Sequence, residues 1–172
     1  MTQQATVPEG VLAVAKRMQA GEQLGAMVGL NENQIKSMAA LGYNLYQQGK
    51  LKEAGIMFKG VTASDTNAYF GFAGVGAVAL AMKPADLQTA FTYLTRAAEL
   101  KSDDADIQAN LGETLLRMGR LDEAKIHLEK AFQLDPDHKD PGVNRARAIV
   151  TGLDAIVKEA TKRKEAQVAK AS

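Results

Sequence analysis

A spacing of small residues constrains this chain more than any other feature. Leu41-Gly42 is followed by Ala54, 13 residues after Leu41, and by Phe58 four residues later; Leu111-Gly112 is followed by Ala124 and Leu128 at the same two distances. Glycine and alanine at such positions allow two helices to approach closely, and Met118-Gly119-Arg120 supplies a tight turn between them. Pro136 then stops the second helix, because it cannot continue the backbone ladder. Between these two matches, Val75-Gly76, Ala79, Ala90, Leu94, Ala97 and Leu100 repeat the pattern if two extra residues enter the turn around Met82-Lys83-Pro84-Ala85. The repeats are therefore placed at 35–68, 69–104 and 105–138, with lengths of 34, 36 and 34 residues. A chain with this period folds by stacking helix pairs, and three pairs is about the minimum for a stable array.

The order Leu-Gly, Ala, large apolar residue, Ala, Pro resembles the tetratricopeptide repeat. The fold expected is all-α: a tetratricopeptide-repeat superhelix of three helix-turn-helix repeats, with an N-terminal helical extension (1–34) and a C-terminal capping helix and basic tail (139–172). Val11, Leu12, Val14, Ala15 and Met18 fall at helical spacing before Gly21. Pro141 suits the first turn of the last helix, and Ile149, Leu153, Ile156 and Val157 form its apolar stripe. Both end segments are expected to cap the array, since a bare end repeat leaves apolar surface in water.

Composition removes several classes of function. Twenty-one basic residues balance twenty acidic ones, leaving a net charge of +1, so no global field attracts nucleic acid or an anionic membrane. There is no cysteine and there are two histidines, which excludes a disulfide framework, a thiolate nucleophile and Cys-ligated zinc. Met1-Thr2-Gln3-Gln4 lacks the basic flank and apolar core of a secretory signal, and no run reaches the ~18 apolar residues of a membrane span. A soluble cytoplasmic protein is expected.

No residue cluster supports catalysis, a cofactor or a metal. Gly71-Phe72-Ala73-Gly74-Val75-Gly76 looks like a nucleotide loop, but it lies inside a predicted helix without a preceding strand, so close helix packing accounts for it better. Asp135-Pro136-Asp137-His138-Lys139-Asp140 lacks the glycine and terminal glutamate of a calcium loop. Ser102-Asp103-Asp104 fits helix capping, His127 a helix face, and Glu113 with Arg117 an ordinary i,i+4 ion pair. The basic tail, Lys158, Lys162, Arg163, Lys164 and Lys170, has no interleaved aromatics and reads as a solvated face.

In a tetratricopeptide array, positions 2, 5, 9, 12 and 13 of each first helix line the concave groove. Carried over, they are Lys36, Ala39, Tyr43, Tyr46 and Gln47 in the first repeat and Phe70, Ala73, Ala77, Leu80 and Ala81 in the second. The third contributes Asp106, Ala109, Glu113, Leu116 and Arg117. Aromatic and leucine walls over an alanine floor suit an extended apolar peptide; the alternative is that Tyr43, Tyr46 and Phe70 only pack against the N-terminal helix. Three apolar anchors at roughly 1.5–3 kcal/mol each give about 5–9 kcal/mol before ordering costs, hence binding of about micromolar strength.

The run Met18 to Leu24, then Leu30-Asn31, then Tyr43-x-x-Tyr46-x-x-Gly49-x-x-x-x-Ala54 resembles the class II chaperones of bacterial type III secretion, over about 140 residues. The resemblance implies a non-enzymatic, cytoplasmic, virulence-associated chaperone that needs no cofactor. It would hold hydrophobic translocator proteins before export, gripping a Pro-x-Leu-x-x-Pro type segment in the groove. It further implies a homodimer through Val11, Leu12, Val14 and Met18, although the same stripe serves equally to cap the first repeat. A general tetratricopeptide adaptor joining other proteins is the alternative function.

Overall fold

The computed structural model describes the backbone of residues 9–171, and side chains through Arg163 except those of Glu9, Val11, Leu12 and Ala15. Among the described residues every regular element is a helix. The chain divides into two compact units, Met1–Leu100 and Lys101–Ser172. The first holds α1 (Glu9–Gln19), α2 (Leu24–Met27), α3 (Glu32–Gln47), α4 (Leu51–Ser64), α5 (Tyr69–Ala81) and α6 (Leu87–Leu100). The second holds α7 (Ala105–Arg117), α8 (Leu121–Leu134) and α9 (Pro141–Ala171).

The three predicted pairs are α3–α4, α5–α6 and α7–α8, and one contact recurs in all of them. A Cβ placed on Gly42 would lie 3.1 Å from the ring of Phe58, one on Gly76 2.5 Å from Leu94 Cγ, and one on Gly112 2.7 Å from Leu128 Cγ. The first helix of each pair thus rests its glycine on the large apolar residue of the second. The alanines of the second helices, Ala54, Ala90 and Ala124, are at most 1% exposed at these crossings.

The turns also follow the spacing. Three residues separate the helices in the first and third pairs and five in the second, where the Lys83–Pro84 bond is cis. Gly49 and Gly119 take φ of 72° and 76°, and the next amides, Lys50 and Arg120, each donate to a carbonyl five residues back at 2.9 Å. Only glycine adopts this left-handed stop without steric cost.

Sequence spacing places the first repeat at residue 35, but α3 begins at Glu32. Asn31 sets that start with a reciprocal cap: its Oδ1 accepts from the Gln34 amide at 3.0 Å, and its own amide donates to Gln34 Oε1 at 2.8 Å. Asp104 caps α7 by accepting from the Ile107 amide at 3.0 Å, the role expected of that acidic run.

The end segments depart from expectation. The N-terminal extension breaks at Gly21 (φ 87°) into α1 and α2. It is α2 that docks, on the end of α4: Gln23 donates to Thr66 Oγ1 at 3.0 Å and accepts from the Thr66 amide at 2.9 Å. Among the described residues α1 has no extensive packing partner, and Val14 and Met18 on it are exposed. Of the α1 stripe, Val14 and Met18 make no capping contact among the described residues, and the side chains of Val11, Leu12 and Ala15 lie outside them.

At the other end α9 caps with its first turns alone. Val143 and Ala146 are buried and Ile149 is half-buried, whereas Leu153, Ile156 and Val157 are exposed. The reason is length: 31 residues make a helix of about 46 Å, whereas the 13-residue α7 beside it offers only about 20 Å.

Candidate functional site

The glycine run of α5 brings the first unit together. Gly71, Gly74 and Gly76 all lie within the helix, so the nucleotide-loop geometry is absent. A Cβ on Gly71 would sit 2.6 Å from Val61 Cγ1, and one on Gly74 would collide with the Phe58 ring. Phe58 is therefore held between Gly42 on α3 and Gly74 on α5, with Ala54, Val75 and Val78 completing a core cluster. This close crossing sets α3 and α5 in contact, side by side as the two first helices of the unit.

The faces that α3 and α5 leave open carry the candidate site. On α3, Tyr43 is 57% exposed, Gln47 is exposed and Ala39 is half-buried. On α5, Phe70, Ala73, Ala77 and Ala81 recur at three- and four-residue steps and are all half-buried. Tyr46 packs on the Phe58 cluster, and Phe70 packs on a second cluster of Ile35, Val61 and Ala68 while meeting Tyr69 edge-on at 5.6 Å. Each of these two rings is thus fixed at one edge by the core. Lys36 is the cation on this α3 face, and it is paired with Glu32 in an i,i+4 bridge. Leu80 is corrected: it is 5% exposed and belongs to the interior. Its position turns it from the open stripe of α5 into the packed side.

The corresponding positions of the second unit differ. Ala109 is 1% exposed and Glu113 2%, so neither is an open lining residue; Leu116 is half-buried and Arg117 exposed. Glu113 receives two guanidinium groups, from Arg117 at 2.5 Å and from Arg145 of α9 at 2.9 Å. Arg145 also donates to Asn110 Oδ1 at 2.6 Å. The predicted Glu113–Arg117 pair is present, and sequence reasoning missed its third member, Arg145. One signal was available: a cation in the first turns of a helix opposes the dipole and calls for a partner.

The remaining candidates keep structural roles. His127 Nδ1 meets Gln108 Oε1 at 2.7 Å, and partial burial holds its pKa below the usual value. Lys158, Lys162 and Arg163 are exposed, Arg163 pairing with Glu159, while the side chains of Lys164 and Lys170 lie outside the described ones. Among the described residues no group of three potential metal ligands occurs, and no helix is long and apolar enough to cross a membrane.

A family model described as tetratricopeptide repeat matches residues 81–148. The DnaJ homolog subfamily C member 3 of Rattus norvegicus is 31% identical over 116 residues, which is 67% of this chain and 22% of that protein. The chain thus spans about a fifth of the length of the curated relatives it matches. Among solved structures, a type III secretion complex from Aeromonas hydrophila superposes with a TM-score of 0.66 at 22% identity, covering 88% of this chain and 98% of that one. PcrH in complex with the chaperone-binding region of PopD gives a TM-score of 0.62 at 25% identity, covering 74% and 96%. These matches and the thrice-repeated helix pair define the fold as a tetratricopeptide-repeat fold. Within that fold, the chain is similar to the class II translocator chaperones of type III secretion, as the Tyr43-x-x-Tyr46 motif implied; these neighbours are chaperones and repeat proteins, not enzymes.

Proposed function

We propose that the chain is a non-enzymatic chaperone of the cytoplasm that holds an extended apolar segment of a hydrophobic translocator protein before type III export. The observation that carries this reading is the open stripe of α3 and α5 in the first unit: Tyr43, Tyr46 and Phe70 beside Ala39, Ala73 and Ala77. Alanines leave room for branched aliphatic side chains, and aromatic rings anchored by the core give rigid walls at little entropic cost. The cation on the α3 face, Lys36, is already paired with Glu32, so an acidic segment has little to bind. The likeness to PcrH bound to a region of PopD supports a translocator as the client. No ATP is needed, because occupying an aggregation-prone segment lowers its free concentration by mass action.

The exposed Val14 and Met18 of α1 support a homodimer through that helix. An adaptor role would instead use the outer surfaces, including Lys158 and Lys162.

Tyr43 tests the reading cleanly, since it is exposed and its loss leaves the core intact. Tyr43→Ala is expected to weaken binding of a Pro-x-Leu-x-x-Pro segment about tenfold, or about 1.4 kcal/mol, in titration calorimetry, with helical content unchanged. Unaltered affinity would remove α3 from the site.

A further inference from the structure

The contact between α7 and the first turns of α9 gathers more charge than a simple cap requires. Asp106, in the first turn of α7, is packed against the backbone of Gly142, where a Cβ would collide with its Oδ1. Asp140 occupies the same corner: its Oδ1 accepts from the amides of Gly142 at 2.8 Å and Val143 at 3.1 Å, and so caps α9. Two carboxylates thus share one helix N-terminus, and Asp140 already takes its donors. Asp106 Oδ2 accepts from Asn110 Nδ2 at 3.1 Å.

Three residues beyond Gly142 on α9, Arg145 reaches Glu113 and Asn110. The helix is therefore held to α7 by an attractive contact at Arg145 and opposed by a repulsive one at Asp106. Beyond Val150 its residues through Arg163 are exposed, so the first turns carry the docking.

We propose that α9 is a proton-sensitive latch on α7: protonation of Asp106 removes its repulsion with Asp140 and tightens the docking that covers Glu113. The charged groups acting on Asp106 are Asp140 before α9, Asp104 at the cap of α7, and Arg145 on α9. Burial, and then Asp140 and Asp104, push its pKa up to about 6, with Arg145 and the Asn110 hydrogen bond opposing. The sign follows from linkage: a carboxyl whose pKa is raised in the docked state binds more protons there than when released. Docking therefore strengthens as pH falls through 6 and weakens above it. Released, α9 frees Glu113, a third-repeat position that lines the groove in a tetratricopeptide array, from Arg145.

The test uses the intact chain without any client, so its failure is separate from failure of the chaperone reading. Hydrogen exchange, corrected for intrinsic rates, is followed at residues 143–150. Between pH 7.5 and 5.0 their protection is expected to rise by up to about tenfold, and in Asp106→Asn to stay constant at the low-pH level. Equal protection of the wild-type chain at both pH values, or a rise that persists in Asp106→Asn, would overturn the proposal. The Asp106 carboxyl carbon gives a second measurement by nuclear magnetic resonance that needs no folded Asp106 variant. A titration midpoint near 6, shifted down in Asp140→Asn, supports the latch, and an ordinary midpoint near 4 refutes it.

Discussion

Replacing Gly74 with leucine is expected to abolish cooperative folding of the first unit. Any side chain there collides with the Phe58 ring, and Phe58 has no retreat, because Gly42 closes its other side at 3.1 Å from where a Cβ would stand. Overpacking a core typically costs about 1–3 kcal/mol and more where the neighbour is trapped, a large part of the stability of a domain this small. Gly152 is the control, since it is exposed on α9 with nothing within 4 Å of its Cβ position. Gly152→Ala should be neutral or stabilising by up to about 1 kcal/mol, the usual helix-propensity gain. Urea unfolding followed by circular dichroism distinguishes the two. A Gly74→Leu chain with an unchanged midpoint would mean that the α4–α5 crossing is looser than described.

The second large effect is expected at Ala77. It lies half-buried in the open stripe of α5, four residues from Ala73 and from Ala81. Glutamate is compatible with the helix there, so the fold should persist. A bound apolar segment would desolvate that carboxylate without offering a partner, at a cost of several kcal/mol. Ala77→Glu is therefore expected to weaken binding of an apolar segment by at least about 100-fold, with the unfolding midpoint retained. The loss would exceed that of Tyr43→Ala, because an unpaired charge is opposed to the ligand where truncation only removes a contact.

The parts of the fold legible in sequence were those that repetition determines. Gly42, Gly76 and Gly112 each touch the predicted partner helix, and the middle turn is longer by the two residues that the spacing required. The glycine run of α5 was legible for the same reason, since helical context excluded a loop. Residues outside the repeats were less so. Leu80 shares the repeat position of Leu116, yet it is buried, because exposure depends on how each helix is rotated and not on its register. The pairing of Arg145 with Glu113 links residues 32 positions apart, and no periodicity relates them. The apolar stripe of α9 does not predict docking, because helix length decides how much of it has anything to dock against.

The central claim is that the open stripe of α3 and α5 selects apolar segments, and one comparison tests it most directly. The intact chain is titrated calorimetrically with a Pro-x-Leu-x-x-Pro peptide and, separately, with a peptide of equal length rich in aspartate and glutamate. Binding of about micromolar strength is expected for the first and none for the second. Equal binding of both, or binding of the acidic peptide alone, would contradict the account.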